Sequence, residues 1–263
     1  MATRTELLRQ HRELSIAIRA SEDWQASYKD DPKTFKALLA GEADLEASAG
    51  AYLRDLAQRS LGYVDWSRLP QPVAADAGPV LNNSDPVWKQ EETLLASAIL
   101  DIVTELVATG AIAGENLYGI SIDFTTLDEA ILIAARTQVA QLVSNVTATS
   151  RDLIRESIRQ SIARGEDVNL AKARLLDVIN NHNPVRAELI AHTESVNAYQ
   201  RGLKNFGKVT GAVSKTWDGL AGACKLCSPL VGKTIPIDDL FEGGYDHPSR
   251  HPRCRCGLIY NYS

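Results

Sequence analysis

Apolar residues recur at three- and four-residue spacing over most of this chain, the period of an amphipathic helix. In "TELLRQHRELSIAIRA", Leu7, Leu8, His11, Leu14 and Ile18 fall on one side. Asp31 followed by Pro32 supplies an N-cap and a first-turn residue for a second helix running toward Leu61. Between Leu69 and Pro86 the pattern stops: four prolines and two asparagines in eighteen residues predict a surface connection. It resumes with Leu94, Leu95, Ala98, Ile102 and Leu106, and Gly110 is a natural C-terminal stop. A T-x-x-E capping box at Thr126 and Glu129 opens the next helix, which the polar run "SNVTATS" is expected to bend or break before it ends at Gly165. Two further helices are predicted, one from about Asn169 to Asn181 and one capped by Asn183 with Pro184 in its first turn.

Near Val209 the pattern changes. "AVSKTWDGL", "GKTIPI" and "GLIYNY" are short, rich in β-branched or aromatic residues and bounded by glycine and proline, as strands of a small sheet are. The expected fold is therefore mainly α: an elongated helical N-terminal and middle region followed by a small C-terminal α+β domain. The expected segments are 1–69 (helical), 70–86 (linker), 87–208 (helical) and 209–263 (Cys/His-rich).

Charge is unevenly divided. The chain carries a net −5, yet residues 200–263 hold 9 basic against 5 acidic side chains, a net of +4. Such a tail suits an acidic partner or phosphate, but four excess charges over some sixty residues are more simply an ordinary solvated surface. The start has no apolar core of a signal peptide, and no stretch reaches about 18 uninterrupted apolar residues, so a soluble protein made in the cytoplasm, without a membrane partner, is expected.

All four cysteines lie between positions 224 and 256. Metal binding explains their grouping: a C-x-x-C turn presents two thiolates about one tetrahedral edge apart, and His251 adds an imidazole three residues before Cys254. Six donors compete for four places: Cys224, Cys227, His247, His251, Cys254 and Cys256. The set favoured is Cys224, Cys227, His251, Cys254 and Cys256, holding a structural zinc in a zinc-knuckle-like domain whose core is too small to fold unaided. Two other readings stay open, disulfides formed in an oxidising medium and plain buried thiols.

The ordered set "HTESVNAYQRG", "KTWDGLAGACKLCSPLVGKTIP" and "HPSRHPRCRCGLIY" resembles the C-terminal signature of the phage Mu protein F-like family of head morphogenesis proteins, also called minor head or minor capsid proteins. The likeness extends over about residues 90–260, and His192 stands where that family commonly has arginine before Thr193 and Glu194. It implies a virion assembly protein at the portal vertex, present in few copies, with portal, major capsid or scaffolding protein as partner, and packaged DNA as a further contact. Seven residues follow Cys256, so the stand-alone assembly protein, not a toxin fusion, is implied. Contact residues expected on chemical grounds are Trp217, Tyr245, Arg250, Arg253 and Arg255, since aromatic and arginine side chains carry interface energy out of proportion to their number. No enzyme is expected. The alternatives are a metal-dependent nuclease, for which Asp246, His247 and His251 are the clustered candidates, and a zinc-bearing nucleic-acid binder.

Overall fold

A computed structural model describes residues 4–69, 81–82, 84–123, 125–219 and 223–262, with the side chains at 4, 7, 8, 11, 15, 85 and 126 outside that description. Helices α1 (Arg4–Ala20), α2 (Ala26–Lys29), α3 (Pro32–Ser60), α4 (Asp85–Tyr118), α5 (Thr125–Ala163) and α6 (Val168–Val209) precede strands β1 (Ser214–Asp218), β2 (Thr234–Pro236) and β3 (Gly257–Asn261). Helix accounts for most of the described residues. The sheet is antiparallel in the order β2-β1-β3, with Lys215 opposite Ile235 on one side and Tyr260 on the other.

Local chemistry explains the boundaries that hold. The Asp31 carboxylate accepts from the Lys33 and Thr34 amides, at 3.1 and 3.4 Å, and so caps α3. Gly119, at φ +64°, ends α4 in the left-handed conformation.

Three expected breaks are absent because packing outweighs local preference. α5 runs straight through "SNVTATS": Thr147, Thr149 and Ser150 turn their hydroxyls back onto the carbonyls of Val143, Asn145 and Val146, while Val143 and Val146 are buried. Residues 168–209 form one helix with Pro184 inside it, and Asn183, instead of capping, donates its buried amide to the Leu53 carbonyl at 2.9 Å. α4 continues past Gly110 for two more turns. On α1 the expected stripe does not face a core at its later positions, since Leu14 and Ile18 are exposed; Leu7, Leu8 and His11 lie outside the described side chains. By length and composition alone, Pro86–Tyr118 is apolar enough to cross a membrane, and 39% of its most apolar window is buried in this fold.

Contacts divide the chain into two compact units, 1–46 with 100–138 and 189–263, and 47–99 with 139–188. In the second, Ala57, Trp88, Ile154, Ile158, Leu175 and Ile179 form a core, and the buried Glu91 is held by Nε and Nη2 of Arg59, each at 2.7 Å. The first contains the sheet. Its core joins Leu203 of α6 to Trp217, Leu230, Phe241, Leu258 and Tyr260.

In that first unit α4 and α6 approach until backbone meets backbone. A Cβ at Gly110 would lie 1.9 Å from the Tyr199 carbonyl oxygen, and one at Gly202 1.8 Å from that of Val107. Neither neighbour is a side chain that can swing away. Gly110→Ala and Gly202→Ala are therefore expected to destabilise by about 1–3 kcal/mol despite alanine's better helix propensity. Gly62→Ala, which meets nothing within 4 Å, should stay within about 0.5 kcal/mol of wild type in urea unfolding.

Candidate metal centre

The two cysteine motifs are shaped by turns at the ends of β1 and β3. After β1 the chain forms a tight turn in which the Cys227 and Ser228 amides donate to the Cys224 carbonyl, at 3.0 and 2.8 Å, so both sulfurs of the C-x-x-C face one side. Ahead of β3, the Cys254 amide donates to the His251 carbonyl at 3.2 Å, and Arg253 takes φ +62°, reversing the chain between the two donors. Cys224 is exposed; Cys227, Cys254 and Cys256 are buried in the core beneath the sheet.

These turns bring five of the six candidate donors together. Cys224 Sγ lies 3.1 Å from His251 Nε2, and Cys227 Sγ lies 3.7 Å from Cys254 Sγ. Cys224, Cys227 and His251 form one group with donor atoms within 4.8 Å of each other, and Cys227, Cys254 and Cys256 form a second. Thiolates sharing a tetrahedral ion at about 2.3 Å are about 3.8 Å apart, so the buried sulfur pair already has the spacing of such an edge. The donor set could hold a metal ion. Without one, burial and the adjacent sulfurs push the Cys227 thiol up to about 12, while a hydrogen bond from Cys256 pulls Cys254 down to about 5.

His247 stands apart from the cluster. Burial lowers its imidazole to about 4, and Nδ1 faces the Pro248 carbonyl. Asp246 is engaged by Lys204 and by the fully buried Lys215, the latter at 2.5 Å. Neither lines the cleft of roughly 680 Å³ that opens on the cluster, whose walls include Glu22, Asp23, His192 and Arg253. Asp246 and His247 thus do not converge with His251 as a hydrolase would need.

The expected contact residues divide. Trp217 is 1% exposed, packed edge-on against Phe241 at 5.1 Å, and Arg255 is 5% exposed, so neither presents a surface to a partner. Tyr245 is half-buried with the Arg250 guanidinium 5.1 Å above its ring, and Arg253 is exposed at the cleft. Arg255 instead enters a buried charge network that the sequence did not disclose. Its guanidinium donates to Glu22 at 2.9 Å, to Glu42 at 2.9 and 3.1 Å, and to Nδ1 of His192, and lies 3.7 Å over the Trp24 ring. Arg19 and Ser195 also donate to Glu42, at 2.9 and 3.1 Å. Burial would raise the Glu42 carboxyl, but the bonds from the Arg255 guanidinium outweigh it and hold the group at about 2.

A carboxyl depressed in the folded state stabilises fully above its ordinary value near 4.5 and loses that contribution as pH falls through about 2. Glu42→Gln is accordingly expected to be on the order of 3 kcal/mol less stable than wild type at neutral pH. The gap should close between about pH 4.5 and pH 2, which urea unfolding across that range measures.

No curated protein and no solved structure matches this chain. Residues 152–259, which contain His192, the four cysteines and His251, match the family model described as Phage Mu protein F like protein, the family whose signature the sequence resembles.

Proposed function

We propose that this protein is a minor head protein that acts in phage head morphogenesis and resides in the virion near the portal vertex. The observation that carries the reading is the sulfur and imidazole cluster lying inside the family-matched segment. The family supplies the assembly role, and the cluster supplies a means of making a short-stranded, turn-rich segment rigid enough to be a binding surface.

Zinc is the ion proposed. It prefers mixed thiolate and imidazole donors, needs four of them, and when fully enclosed supplies folding free energy without turnover. Cys227 and Cys254 would form the buried edge, with Cys224 and His251 closing the exposed side and Cys256 standing behind them. Around that centre, Tyr245, Arg250 and Arg253 are the accessible aromatic and cationic groups proposed to meet portal, capsid or scaffolding subunits. Lys204 and Lys215 occupy Asp246, the carboxylate that the nuclease reading would use as its base.

Purified wild-type protein should carry about one zinc per chain by elemental analysis. Cys224→Ser should lose most of it while the far-ultraviolet helical signal persists, because the helices have their own apolar cores. Co-expression with portal protein should recover a complex that Arg250→Ala with Arg253→Ala weakens by about tenfold or more. Absence of the protein from both procapsids and mature heads would overturn the assembly role, and absence of bound metal would overturn the zinc.

A further inference from the structure

Residues 22–28 run from the end of α1 into α2; Glu22 and Asp23 line the cleft over the cysteine cluster, and Tyr28, 228 positions from Cys256, bonds to that residue. Their attachments converge on the ligand turn. Glu22 receives Arg255 Nε and Nη2 at 3.2 and 2.9 Å, and the indole of Trp24, which is 4% exposed, lies under the same guanidinium. Tyr28 donates its hydroxyl to the Cys256 carbonyl at 2.8 Å and accepts from Gln200 at 2.7 Å. Ser27 reaches Asp218, the last residue of β1, at 2.8 Å.

Arg255 directly follows the ligand Cys254 and precedes Cys256, so a shift of Cys254 on releasing an ion moves the backbone that carries the guanidinium and the Cys256 carbonyl. The Tyr28 bond ends on the carbonyl of Cys256 itself. Both grips therefore depend on the conformation the ion would fix.

We infer that residues 22–28 are a strap whose docking is thermodynamically linked to ion binding at the cysteine turn. The inference rests on reading the cluster as a metal site. An ion that holds the turn favours the docked strap, and by reciprocity the docked strap raises affinity for the ion by the same factor. The strap is then a positioning element, acting on the ion through Arg255 and the Cys256 carbonyl.

Hydrogen exchange on the full chain, zinc-loaded and chelator-treated, tests this together with competition titrations of zinc affinity. Chelation should accelerate exchange of the amides in 22–28 by about tenfold or more, alongside those of 224–256. Tyr28→Phe and Glu22→Gln, which retain packing volume, should each weaken zinc binding by about 5-fold or more. Leu175→Ala, in the core of the other unit, should lower stability but leave zinc affinity within about twofold of wild type. Strap exchange unchanged by chelation, or both strap variants binding zinc as wild type does, overturns the linkage and leaves the metal reading standing. A wild-type protein that takes up no zinc overturns both.

Discussion

A guanidinium removed from water must be answered on every side, and Arg255 is the place where this chain meets that demand. Desolvating such a group costs several kcal/mol, and one carboxylate rarely offsets it. Here two carboxylates, an imidazole nitrogen and an indole face share the task, while Glu42 is itself held by Arg19 and Ser195. Removing one partner from a network of this kind leaves another charge buried and uncompensated, which typically costs about 3–5 kcal/mol. Because Arg255 lies between Cys254 and Cys256, the network and the cysteine cluster cannot be arranged independently. Its charge, expected from sequence to meet a partner, is matched by acids from α3 and from the residues before α2.

A second constraint works by size. Where α4 and α6 cross, Gly110 and Gly202 let carbonyl oxygens of Tyr199 and Val107 occupy the space a methyl group would fill. Tyr199, Gly202 and His192 all belong to α6, so the helix that presents the imidazole to Glu42 is the one held against α4 by these contacts. The polar residues near the signature are similarly committed: Gln138 donates to both the carbonyl and the carboxylate of Glu194, at 2.9 and 2.8 Å, and Burial, the larger influence, raises that carboxyl above its ordinary value.

Much of the architecture was legible because it is encoded locally. Helical periodicity, the Asp31 cap, the strand-like segments after Val209 and the two cysteine motifs each occupy a few adjacent residues, and five of six candidate donors do come together. What could not be read depends on contacts distant in sequence. Gly110 looks like a helix end until α6 is set against it, Pro184 looks like a start until Asn183 beside it is buried against Leu53, and the serines and threonines of "SNVTATS" look like breakers until their hydroxyls find carbonyls four residues back. The roles of Glu22, Trp24, Tyr28 and Glu42 had no local signal at all. A buried arginine between two cysteines implies acidic company, but nothing in the adjacent sequence says where it comes from.

The discontinuous make-up of the unit that holds the sheet has a consequence for synthesis. Its pieces are 1–46, 100–138 and 189–263, whereas every piece of the other unit lies within 47–188. A ribosome delivers the chain from the amino end, so one core can close while the other still lacks its final strands. Until Arg255 emerges, Glu22 and Glu42 have no guanidinium from that turn and Trp24 has no cation above it. The early residues of this unit acquire their buried cation only when the turn at Cys254–Cys256 has been made.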